Sequence, residues 1–279
     1  MYCNSLDGPQ FDMYKLTSEV QLLRWNEPDP GVFIAESARI IERALQAGYE
    51  PISVLSEEGK AEAEAMKLMT LFHKVQAPFY VSSKEVIEDM AGFHLARGML
   101  CAMQRKPLPT MEEILAGKSR VVVLADVENP TNVGAIFRSA AAMGMEAVIL
   151  TPGSCDPLYR RSSRVSMGTV FQIPWTFSAR PGHMASPEQT HTMMETFRKN
   201  GFKTVALALR DDAISIEDAV LQKEEKLAII LGNEDDGISE DILKECDYTA
   251  IIPMKPGVDS LNVAAASAVA FWELTKHKL

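Results

Sequence analysis

Two apolar patterns divide the chain. Over residues 33–103, short apolar runs alternate with amphipathic segments. Phe33-Ile34-Ala35 precedes Ala38, Ile41 and Leu45 at helical spacing, and Gly48 stands where a left-handed residue would end that helix. Ile52-Ser53-Val54-Leu55 reads as a strand, 61–71 as a helix rich in Ala, Glu, Met and Leu, and Phe79-Tyr80-Val81 as a strand before a capping-box signature, Ser82 with Glu85. Beyond residue 120 the runs at 121–125, 147–150, 203–207, 227–231 and 249–252 are almost wholly apolar, the pattern of parallel strands covered by helices on both faces. Between them, Ser186-Pro187 with Gln189 supplies a helix start. The pattern predicts an α/β protein: a small α/β domain with an N-terminal extension over 1–115, a Pro-containing connection with room for one short helix over 105–120, and a larger α/β domain over 116–279.

The length of 279 residues fits two domains at roughly 150 residues each. A hydrophobic share of 47% with 24% charged residues excludes disordered and collagen-like chains. No apolar run approaches the roughly 18 residues of a membrane helix, and the first residues lack a basic segment followed by an apolar one, so a cytoplasmic protein without a membrane partner is expected. Cys3, Cys101, Cys155 and Cys246 form no CxxC pair, which reads as reduced thiols and no metal site. The net charge of −10 matters more, because acids outnumber bases in both halves. A polyanion would have to meet a local cationic patch. The densest is Tyr159-Arg160-Arg161-Ser162-Ser163-Arg164, with no acid between Asp156 and Glu188. Guanidinium forks match phosphate and Tyr159 can stack on a base; a solvated basic turn is the other reading.

Three segments carry candidate chemistry. In the first, a strand at 121–125 runs into Glu128-Asn129-Pro130-Thr131-Asn132-Val133-Gly134 and a helix whose Gly134, Ala135, Ala140, Ala141 and Ala142 allow close approach, with Arg138 nearly two turns after Asn132. Such a helix start offers N–H groups to an anion, with Asn132 as a candidate cap; a capped packing helix with a surface arginine fits equally. In the second, a buried strand ends in Leu231-Gly232-Asn233-Glu234 and Gly237, at the kind of strand end where parallel sheets bind ligands. Its acids do not follow the calcium-loop spacing. In the third, Ile252-Pro253-Met254 leads to Ser260-Leu261-Asn262-Val263 and an alanine-rich helix that suits a core or a dimer contact.

In this order and at these strand ends, the three segments resemble the motifs of the SpoU or TrmH branch of the SPOUT RNA methyltransferases, over about residues 30–279. Arg164-Val165-Ser166-Met167-Gly168 also looks like the family pattern, and the front domain is similar to the substrate-binding domain of many members. The resemblance implies a trefoil-knotted parallel α/β domain, with S-adenosylmethionine held by Leu207, Ala208, Leu231, Gly232, Ile252 and Leu261. It further implies transfer of the methyl group to a ribose 2′-hydroxyl, with Arg138, Asn132, Glu234, Ser260 and Asn262 as catalytic positions. The cationic stretch is expected to meet RNA near the cofactor pocket through Arg160, Arg161 and Arg164, with Arg164, in the family-like segment, closest to the reacting ribose. Ribosomal RNA is the expected substrate and a homodimer the expected state. Transfer RNA, or a non-catalytic RNA-binding or ribosome-assembly protein of the same fold, are the alternatives. Asn129, where the family usually has Asp, and Ala264, where a second Ser is common, depart from the pattern.

Overall fold

A computed structural model describes the chain except residues 16–17, 60–76, 93–97, 234, 256, 258–259 and 276–279. The helix expected at 61–71 therefore lies outside the described residues. Two compact units result, one of residues 1–107 with 158–171, the other of 108–157 with 172–279.

In the first unit, α1 (Glu19–Leu23) leads to β1 (Val32–Glu36), α2 (Ala38–Gln46), β2 (Pro51–Glu57), β3 (Phe79–Ser82), α3 (Lys84–Ala91) and β4 (Met99–Gln104). The sheet order is β1-β4-β2-β3, with β4 antiparallel to both β1 and β2, and β3 parallel to β2. Gly48, at φ +77°, follows α2 as the spacing predicts. The cap of α3 is displaced by one residue. Ser83 accepts the Val86 amide, while Ser82 is buried as the last residue of β3. One apolar cluster, including Phe11, Val32, Leu55, Ile87 and Leu100, holds these elements together.

The second unit begins with α4 (Met111–Leu115), capped by Thr110 and Glu113. Residues 105–120 are thus more than a connection, because Met111, Ile114 and Leu115 enter the second unit's core beside Phe197 and Ile230. Then follow β5 (Arg120–Leu124), α5 (Pro130–Ala142) and β6 (Ala147–Leu150). Here the chain departs from a division at 115/116 in another respect. Helix α6 (Arg160–Val165) and the turn after it belong to the first unit, where α6 packs on β1, Arg43 Nη1 donates to the Met167 carbonyl at 2.7 Å and Phe171 stacks 5.7 Å from Phe33. The chain then forms β7 (Trp175–Phe177), α7 (Pro187–Lys199), β8 (Lys203–Leu207), β9 (Ile214–Ser215), α8 (Ala219–Lys223), β10 (Leu227–Leu231), α9 (Glu240–Glu245), β11 (Tyr248–Ile251) and α10 (Val263–Thr275). All strands pair in parallel in the order β7-β6-β5-β10-β8-β11-β9. Burial on both faces explains the continuous apolar runs of β5, β6 and β10, which are fully covered. No helix of the described residues is long and apolar enough to cross a membrane.

Candidate active site

The carboxyl ends of β10, β8 and β11 are neighbours in the sheet, and a cleft opens there. It has two adjoining chambers of about 460 and 1520 Å³, both partly open to solvent. Leu207, Ala208, Ser260 and Leu261 line both, Ile252 lines the smaller, and Leu231, Gly232 and Asn262 line the larger. The second and third motif segments are therefore separate in sequence and adjacent in space at the cleft, because parallel crossovers bring successive strand ends to one edge.

Asn262 ties the third segment to the first. Its Oδ1 accepts the Ala264 amide at 3.0 Å and so caps α10, while its Nδ2 donates to Asn132 Oδ1 at 3.2 Å. Asn132 is not the cap of α5, contrary to the local reading. That position belongs to Asn129, whose Oδ1 accepts the Thr131 amide at 2.9 Å, with Pro130 as the first helical residue. Asn132 sits in the first turn, 7% exposed, where its side chain can face a neighbouring helix. Helices α5 and α10 pack against each other.

Asn233 joins the second segment to the first. Its Nδ2 donates to the carbonyl of Asp126 in the turn after β5, and its Oδ1 accepts the Asp235 amide. The Asn233 and Gly237 backbones close a tight turn, with Gly237 at φ +72°. A Cβ on Gly232 would lie 2.5 Å from the Gly237 backbone. Glycine is needed there by the turn first, and bulk would disrupt the turn before it met a ligand. Asp126, at φ +55° and 7% exposed, is anchored by Thr151 Oγ1 at 2.6 Å.

The remaining expected positions fall elsewhere. Arg138 is exposed on α5 and does not line the cleft. Its six-residue offset from Asn132 turns it about 120° around the helix, so the two cannot share one face. Glu234 lies outside the described residues. Arg160 and Arg164 are both engaged in the first unit by Glu36, which is 1% exposed: Arg164 Nη1 lies 3.3 Å and Arg160 Nε 3.8 Å from Glu36 Oε2. Burial holds the Arg160 pKa below its ordinary value, with Glu36 opposing. Arg161 is exposed. Among the cleft residues that sequence reasoning missed, Ala250 and Ala266 have apolar signatures indistinguishable from core, whereas Arg210, three residues past the end of β8, carries the signal of a charged residue after a buried strand.

The lining suits S-adenosylmethionine: aliphatic side chains offer surface to an adenine ring, and Asp235, Asp236 and Glu240 offer charge to an ammonium and a sulfonium. Among the described residues no cluster of His, Cys, Asp and Glu could hold a metal ion.

Comparison with known proteins agrees with this architecture. The chain is 32% identical to an uncharacterized tRNA/rRNA methyltransferase of Mycobacterium bovis, over 97% of this chain and 90% of that one. It is 24% identical to the 23S rRNA (guanosine-2′-O-)-methyltransferase RlmB of Acinetobacter baylyi, over 86% and 95%. In fold it matches an rRNA methyltransferase of Sinorhizobium meliloti with a TM-score of 0.82 at 23% identity, covering 100% and 98% of the two chains. Residues 119–272 match the model of the SpoU rRNA methylase family, and the chain belongs to that family.

Proposed function

We propose that the protein transfers a methyl group from S-adenosylmethionine to a ribose 2′-hydroxyl of ribosomal RNA. The observation that carries this reading is the cleft at the ends of β8, β10 and β11, lined by the second and third motif segments, to which Asp126 and Asn132 of the first are tied by hydrogen bonds from Asn233 and Asn262. Family membership and the relatives named as 23S rRNA 2′-O-methyltransferases support the substrate class. Bound S-adenosylmethionine supplies an electrophilic methyl on a sulfonium. The chain's part is to hold that methyl in line with the attacking hydroxyl. Leu207, Ala208, Leu231, Gly232, Ile252 and Leu261 form the cofactor walls, and Ser260 stands at the rim where both chambers meet. Asn262 and Asn132 fix the start of α10 against α5, which sets the position of that rim. Glu234, two residues after Gly232 in sequence, is the further catalytic position that family membership supports. Arg138, exposed on α5, grips ribose or phosphate through its planar fork.

The trefoil threading of 232–261 belongs to the same proposal, supported by the way both ends of that segment line one cleft. So does a homodimer. With α5 and α10 packed within one chain, the surface left for a second copy is the outer face of α10, where Val269 is 43% and Trp272 56% exposed. RNA is met in the first unit by α6, with Arg161 outward and Arg160 and Arg164 held in place by Glu36.

The test is incubation with methyl-tritiated S-adenosylmethionine and total RNA from a strain lacking the gene, followed by mapping of ribose methylation. Label at a 2′-O position of ribosomal RNA is expected. Label in transfer RNA alone overturns the substrate, and no label overturns the activity.

A further inference from the structure

The larger chamber presents three described carboxylates, Asp235, Asp236 and Glu240. Among its described lining residues there is one cation, Arg210. Arg210 follows the end of β8 by three residues, so the strand that walls the cleft delivers it to the rim. Its guanidinium rests on two acids: Nη1 lies 3.2 Å from Glu240 Oε1, and Nε 3.4 Å from Asp212 Oδ1. The side chains of Arg210, Glu240 and Asp212 are 40%, 65% and 77% exposed. Pairs this open to water are weakly held and exchange readily for a better partner.

The amino-acid end of S-adenosylmethionine carries a sulfonium, an ammonium and a carboxylate. The acids of the chamber suit the two cations. They also repel the carboxylate, which needs a cation of its own within reach. The geometry points to Arg210 as the clamp for that carboxylate: the guanidinium leaves Glu240 and Asp212 and donates two parallel hydrogen bonds to the cofactor. A planar fork is matched to a carboxylate, and the bidentate pair is stronger than either resting contact. The pocket would thereby select for the intact methionine moiety over a thioether nucleoside. This inference rests on the cofactor reading above.

The test is titration calorimetry on the full chain with S-adenosylmethionine and with decarboxylated S-adenosylmethionine, which keeps the sulfonium and the amine. Arg210→Ala should weaken the first about tenfold or more and change the second less than about threefold. Asp212→Asn, which frees the guanidinium from a resting partner that does not line the cleft, should leave cofactor affinity equal or tighter. Equal loss for both ligands in Arg210→Ala, no loss for either, or a loss in Asp212→Asn as large as in Arg210→Ala overturns the clamp. Ala266→Trp, which fills the cleft from α10, separates this from the wider reading. If both ligands still bind that variant at full affinity, the cofactor site itself is misplaced; if they do not, and Arg210→Ala is silent, only the clamp fails.

Discussion

Replacing Arg160 and Arg164 together by alanine leaves the Glu36 carboxylate, 1% exposed at the end of β1, without the two cations that face it. The reverse change is milder. Glu36→Gln removes one acid from beside two guanidiniums whose side chains stay 31% and 39% exposed and can turn to water. A charge left buried without its partner costs about 3–5 kcal/mol, whereas an exposed pair is worth about 0–1 kcal/mol. With roughly a third of each cation already solvated, the double replacement is placed at the low end, about 3 kcal/mol, and Glu36→Gln at about 1 kcal/mol. Adding Glu36→Gln to the double variant removes the stranded charge and should restore about 2 kcal/mol, so the triple variant is more stable than the double one. At roughly 2–4 °C per kcal/mol, the double variant should melt about 6–12 °C low and recover about 4–8 °C in the triple. Thermal unfolding followed by circular dichroism reads both. A triple variant no more stable than the double would refute the reasoning, because the loss would then come from packing of the arginine stems and not from the buried acid.

Four further expectations follow from the same geometry. Asn262→Ser keeps a cap on α10 but loses the bond to Asn132, so it should cost about 1 kcal/mol in unfolding, while Asn262→Ala loses both and should cost about 2 kcal/mol; equal costs would count against the bridge. Arg138→Ala should abolish methyl transfer with cofactor affinity unchanged in calorimetry, and normal turnover would remove it from the mechanism. Trp272→Asp should shift the protein toward the 30.8 kDa species in sedimentation, an outcome that an unchanged dimer would contradict. Arg161→Ala should lower the salt slope of RNA binding by about one phosphate equivalent, and a slope equal to that of the parent would assign the contact elsewhere.

The parallel strands of the second unit were legible because burial on both faces writes itself as an unbroken apolar run, as in Leu227–Leu231. Strands β7 and β9 were not, since three and two residues with Thr176 or Ser215 among them carry no period. The cap of α5 was legible in principle: Pro130 marks the first helical position and points to Asn129, and reading Asn132 instead overlooked that rule. Resemblance supplied the cleft, and the walls at Leu207, Ile252 and Leu261 have no local signature that separates them from core. The pairing of Glu36 with Arg160 and Arg164 spans more than 120 residues, and nothing near either end announces it. A cluster of three arginines reads as a free cationic patch until the acid that neutralises part of it is in view.

The excursion of 158–171 into the first unit sets an order of assembly. That unit is not finished when residue 107 is made. Its β1 stays uncovered on the side where α6 will pack, and Glu36 stays without its cations, until residue 164 is available. By then β5, α5 and β6 of the other unit have already been synthesised, while β7, which pairs with β6, has not. During synthesis both units are therefore incomplete at once, and the front domain closes on a segment delivered from the middle of the catalytic one. A chain cut at residue 115 would lack α6 and expose the β1 face it covers, which makes such a fragment prone to aggregation. A fragment extended to residue 171 would carry every element of the first unit, with only the β5–β6 pair of the second unit's sheet as its burden.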